Sequence, residues 1–197
     1  MARPLLQQQK RRMALAGVGL TAYLLFHMLS NLSFFSATGF NQFYALYNRP
    51  WIRWPIFLLV LLALTLHITV AVRLRRKNRQ ARGPRYHRYD HLHIPAVWVS
   101  ISFSLLFLFI VVHIVQALLL DTTNVKAAVT QWFSSPYMLW FYLMGIALLT
   151  LHLLHALVNV LQSLGLSAAM YCWLIRPAVI VLGLGFAAIP LSYWMGL

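Results

Sequence analysis

Five runs of about 20 apolar residues occupy most of the chain, at roughly 13–34, 55–74, 94–120, 137–161 and 177–197. A helix of about 20 such residues covers the ~30 Å hydrocarbon core of a bilayer. In lipid no water satisfies the backbone, so a spanning chain must close its own hydrogen bonds as helices or as a complete barrel. Barrel strands alternate apolar and polar residues over segments of about ten, and these runs do not. The pattern predicts an all-α membrane protein, a five-transmembrane-helix bundle forming one domain over residues 1–197. Composition agrees: 61% of the residues are hydrophobic and 9% charged, against about 25% charged in soluble domains. A soluble enzyme and a disordered tail are excluded. The lone Cys172 excludes an internal disulfide, a cysteine zinc or iron–sulfur site and covalent haem attachment.

Proline and charge punctuate the runs. Pro50 and Pro55 lead into the second, Pro95 opens the third, Pro136 precedes the fourth and Pro177 opens the fifth, positions where a missing N–H costs little. Of 16 Lys and Arg residues, all but Arg49, Arg53 and Lys126 fall on one side of the predicted membrane, eight of them between Arg73 and Arg88. The positive-inside rule places that side, with the N-terminus, in the cytoplasm and the C-terminus outside. Trp51, Trp54, Trp132, Trp140 and Trp194 then form a belt near the outer ends. A signal peptide fits the start poorly: its apolar run is too long and no A-x-A site follows. The expected location is the cytoplasmic (inner) membrane, multi-pass, with lipid and not nucleic acid facing the basic surface.

No Asp, Glu or Lys falls inside the runs, and five histidines do: His27, His67, His113, His152 and His155. An ionisable group inside a span is a functional candidate by default, and neutral imidazole is a common ligand of haem iron. Depth sorts these residues. The first and third runs cross outward and place His27 and His113 roughly 6–9 Å beyond the midplane. The second and fourth cross inward and place His67 and His155 roughly 4–9 Å on the cytoplasmic side. Two pairs at two levels predict two stacked, bis-histidine, non-covalent b-type haems, with irons on the order of 10–18 Å apart. The bland alternative is that such histidines hydrogen-bond neighbouring helices. His152, three residues before His155, matches the depth of His67 slightly better, and depth does not choose between them. Asn159, Gln162 and Ser163 continue the His155 face toward the cytoplasm, where haem propionates or neighbouring helices would meet them. Gly17 and Gly145 lie ten residues from His27 and His155, each near the level of the opposite pair. Small residues there leave room for a macrocycle or for close helix packing.

Taken together, several stretches resemble one family. They are His27-Met-Leu-Ser-Asn-Leu, Phe40-Asn41 with Tyr47-Asn48, and Leu66-His67-Ile68. Asn78-Arg79-Gln80-Ala81-Arg82 ahead of Tyr86, then His113, and His155 with Gln162-Ser163-Leu164-Gly165 complete the set. In order and spacing, to about residue 165, the sequence resembles the five-helix di-haem cytochrome b membrane-anchor subunit of succinate dehydrogenases and fumarate reductases. The resemblance implies axial pairs His27–His113 and His67–His155, choosing His155 because its family counterpart precedes a Gln-x-Leu-Gly-like ending by seven residues. Ala156 departs from the pattern, where glycine is common.

The resemblance further implies a flavoprotein subunit that handles succinate or fumarate, an iron–sulfur subunit, and a membrane quinone as electron partner. Catalysis on succinate itself would belong to another chain. Arg73 and Arg75 are the basic residues nearest the inner haem propionates, and the 73–88 segment is expected to touch anionic lipid and to offer a dock for the iron–sulfur subunit. His87, Asp90, His91 and His93 make a poor metal site among so many cations. Asp121 reads as part of a polar loop, with proton handling near an outer quinone as the sharper alternative. The competing functions are the haem anchor of a hydrogenase or formate dehydrogenase, and a haem-free transporter. The latter would carry inverted repeats or broken helices, which the sequence does not show.

Overall fold

A computed structural model describes residues 3–81, 96–163, 165 and 168–196. Five long helices carry the fold: α1 (Arg3–Leu32), α3 (Pro50–Ala81), α4 (Ala96–Leu119), α6 (Pro136–Ser163) and α7 (Ala168–Trp194). Two short helices, α2 (Gly39–Tyr47) and α5 (Val125–Phe133), and one 3₁₀ turn (Ser33–Phe35) link them at one end. Among the described residues there is no strand. Each long helix contains a span apolar enough to cross a membrane, so the protein is a multi-pass, all-α membrane protein. The segment Arg82–Pro95 lies outside the described residues, and with it His87, Asp90, His91 and His93. So do the side chains of Asn159, Gln162 and Ser163.

Helix α1 is the hub: it packs on α3, α6 and α7, while α6 packs on α4 and α7. Met28 of α1, Leu153 of α6 and Val179 and Leu182 of α7 form the buried seam of that three-helix centre. Close approach there depends on glycine. A Cβ at Gly183 would clash with Thr150 Oγ1, and one at Gly185 would come 2.6 Å from Met28 Sδ, as expected where small residues let membrane helices pack. Elsewhere the long helices present leucine outward, with Leu59, Leu62 and Leu184 each more than 60% exposed. In lipid such a face needs no cover.

Three helices run past the ends the apolar pattern gave them. The basic residues 3–12 continue α1, and Arg75, Arg76 and Lys77 continue α3, with Lys77 Nζ reaching Gln9 Oε1 at 3.3 Å. Helix propensity explains both, since Arg, Lys and Gln are good helix formers once an apolar span has nucleated the turn. The fifth span begins at Ala168, and Pro177 sits inside α7 with Pro190. The ring costs one intrahelical hydrogen bond, which membrane helices tolerate when neighbours re-satisfy the freed carbonyl. Gly165 has φ +84° just beyond α6, a left-handed geometry suited to glycine at a helix end.

The ends of the bundle differ chemically. One carries the basic extensions. At the other, α2 and α5 form a platform: Asn41 Nδ2 donates to Asn124 Oδ1 (3.2 Å), the Lys126 amide to Asn41 Oδ1 (3.0 Å) and Lys126 Nζ to the Ser36 carbonyl (3.1 Å). Phe40 is fully buried beneath it, and burial pushes the Tyr44 phenol up to about 12, so it stays protonated and donates to Asn31 Oδ1 at 2.7 Å. The three cations at this end each lie over a ring: Arg49 over Trp51, Arg53 over Trp54 and Lys126 over Phe34, at 5.1–5.7 Å. Trp51, Trp140 and Trp194 are exposed there, the arrangement of an interfacial aromatic belt.

Candidate functional site

Four helices bring histidines together in two places. His27 of α1 and His113 of α4 have ring centroids 5.8 Å apart with planes tilted 59°. His67 of α3 and His152 of α6 are 6.3 Å apart at 84°. Neither α1 with α4 nor α3 with α6 is among the helix pairs that pack extensively. The rings therefore join helices that share little other contact.

The two places lie at different levels. His67 Nδ1 lies 3.4 Å from the Met13 carbonyl, and a Cβ on Gly17 would meet the same ring at 3.5 Å. Residues 13–17 precede His27 on α1 by 10 to 14 positions, a separation of roughly 15–21 Å along the axis. One pair sits toward the platform end and the other toward the basic end.

The platform-end pair is enclosed by rings. Tyr23 stacks on His27 at 5.7 Å and Phe186 tilts against it at 5.7 Å. Phe109 stacks on His113 at 6.0 Å, and Tyr142 meets His113 edge-on at 5.8 Å. The space beside Gly145 is taken by Phe109: a Cβ there would clash with its ring. His113 Nδ1 bonds the Tyr142 hydroxyl at 3.2 Å, and that hydroxyl donates to Gln116 Oε1 at 2.9 Å.

The basic-end pair is looser. Phe103 meets His152 edge-on at 5.3 Å, and His152 Nδ1 is buried with no hydrogen-bond partner among the described residues, a deficit of about 1–3 kcal/mol unless another group or water completes it. His155 is exposed, one turn closer to the basic end. Val160 reaches Gly17 at the same point as the His67 ring, since a Cβ on Gly17 would lie 3.6 Å from Val160 Cγ2. The ring in contact with His67 is that of His152, so the structure brings His152 rather than His155 to the predicted partner.

Donor chemistry fits a haem. Two imidazoles sharing one metal at about 2.0 Å per bond hold their centroids about 6 Å apart; His27–His113 is compatible with that, and the other ring pair in contact is His67–His152 rather than the predicted His67–His155. Among the described residues no group of three or more His, Cys, Asp or Glu side chains converges, so paired imidazoles are the metal-ligating sets this bundle offers. The Met13 carbonyl can only accept, so His67 carries its proton on Nδ1 and keeps Nε2 free.

Asp121 is fully exposed in the loop before α5. It accepts from the Thr123 amide (2.9 Å) and hydroxyl (2.7 Å), which hold its carboxylate below the usual range. Arg73 and Arg75 lie exposed on the extension of α3. Sequence reasoning missed Tyr142, Gln116 and Phe109. A tyrosine 29 residues from His113 gives no sequence signal, because apolar spans carry no periodicity that fixes helix rotation. Comparisons with known families, curated proteins and solved structures found no match for this chain.

Proposed function

We propose that this chain is the di-haem cytochrome b membrane anchor of a succinate:quinone oxidoreductase, relaying electrons between an iron–sulfur subunit and membrane quinone. The observation that carries the reading is the two-level set of histidine pairs, each joining helices that do not pack extensively. His27 and His113 would hold one b-type haem. His67 and His155 would hold the other, His155 being favoured by the resemblance through its Gln-x-Leu-Gly-like ending. The ring contact between His67 and His152 favours a second reading in which His152 is the ligand.

Bound haems would supply one-electron redox chemistry; the chain supplies ligands, burial and electrostatics. Tyr23, Phe186 and Phe109 exclude water from the platform-end pair, while the Met13 carbonyl orients His67. The exposed arginines of the α3 extension suit haem propionates or the acidic face of a partner subunit at the basic, cytoplasmic side. A cavity of about 270 Å³ at the platform end, lined by Phe34, Phe35, Phe133, Ile189 and Tyr193 among others, supports a quinone ring nearby. Its Phe133 wall lies 5.2 Å from Tyr142. The resemblance, not the geometry, favours succinate or fumarate chemistry over a hydrogenase or formate dehydrogenase anchor. Co-purification tests that part: a flavoprotein with succinate-dependent haem reduction is expected, and a hydrogenase or molybdenum subunit would replace the reading.

A further inference from the structure

His113 is held by a side-chain relay whose proton direction can be worked out from its far end. The Met138 thioether only accepts hydrogen bonds, and Gln116 Nε2 points at its sulfur at 3.2 Å. The other end of that amide, Oε1, therefore faces Tyr142 and takes the phenolic proton at 2.9 Å. Tyr142 has one proton and has given it away. Its oxygen can then only accept from His113 Nδ1, 3.2 Å distant. His113 must carry its proton on Nδ1, with a free lone pair on Nε2.

We propose that Met138, Gln116 and Tyr142 form a directional relay that fixes the tautomer of His113 and, through Tyr142, tunes the iron it ligates. Tyr142 is a positioning residue in this scheme. The tautomer follows from the hydrogen bonds alone, while the tuning rests on the di-haem reading. An imidazole whose Nδ1–H is drawn toward an acceptor is a more basic ligand, which favours ferric over ferrous iron. Removing the acceptor raises the potential of that haem. At the basic end a backbone carbonyl does the same for His67, and no side-chain substitution removes it.

Two readouts separate the parts. In the full chain in lipid without haem, ¹⁵N-histidine spectra should show His113, assigned by its loss in His113→Ala, protonated on Nδ1. Tyr142→Phe should populate both tautomers, and Gln116→Leu should do so in part. A wild-type His113 protonated on Nε2 would overturn the relay. In the haem-loaded complex, Tyr142→Phe should raise one of two midpoint potentials, shifting its ferric:ferrous ratio about tenfold at fixed potential, about 59 mV for one electron. The other potential should not move. A downward shift, or equal shifts in both, would overturn the tuning. A wild-type complex without haem would sink the functional reading and the tuning together, while the spectra of the haem-free chain would still decide the relay.

Discussion

The two histidine pairs share a ligand chemistry and differ in almost everything around it. At the platform end His27 and His113 are packed among Tyr23, Phe109, Tyr142 and Phe186, with a chain of side chains fixing one imidazole. At the basic end His67 leans on a backbone carbonyl, His152 has an unpartnered buried nitrogen and His155 is exposed. A site walled by rings and side-chain bonds is sensitive to single substitutions; one held by backbone and open to its surroundings is tolerant. On the proposed reading the first haem is tuned by sequence, and the second is placed where partner subunits and propionate-binding cations reach it.

The largest effects should come from the ligands. His27→Ala should remove one haem and leave the other, and His67→Ala should remove the complementary one, read as haem per chain falling from two to one. Loss of both in either variant would show that the pairs are not independent sites. His155→Ala and His152→Ala sharpen the basic-end assignment. The proposal expects His155→Ala to abolish the second haem and His152→Ala to retain it, with the reverse result transferring the role to His152.

Packing should separate the two ends next. Gly145→Ala drives a methyl into the Phe109 ring and should cost about 1–3 kcal/mol, seen as a lower thermal midpoint and a disturbed platform-end haem spectrum. Gly17→Ala meets His67 and Val160 only at ordinary contact distance. Its midpoint should change little, and a drop as large as that of Gly145→Ala would erase the contrast.

Smallest of all should be Asp121→Asn. The two Thr123 bonds lower the carboxylate's pKa in the folded chain, so their contribution is present above the unfolded pKa and lost as pH falls through the folded one. Between pH 5 and 8 the group stays ionised, and quinone turnover should show no step that Asp121→Asn abolishes. A turnover collapse in that variant would give Asp121 the proton-handling role.

Much of this was legible in the sequence because membrane insertion is a strong constraint. Length and hydropathy alone require five helices, and alternating direction is enough to put His27 and His113 at one level. Rotation about each helix axis was not legible, since a span apolar all round has no face to read. That is why Tyr142, Gln116 and Phe109 emerged only from the structure; depth could not separate His152 from His155 because span ends read from hydropathy are uncertain by about as many residues as separate the two. Pro177 misled as a helix start because membrane helices accept an internal proline that a soluble helix would reject. The helices α2 and α5 were hidden in the connections: Asp121 and its neighbours read as a polar loop, and the bond between Asn41 and Asn124 is seen only in the fold.

The most direct test of the central claim is a dithionite-reduced minus oxidised spectrum of the purified complex, with haem quantified per chain. Two low-spin b haems per chain are expected. A well-folded, partner-bound preparation with no haem would contradict the account and return the histidines to packing or proton transfer.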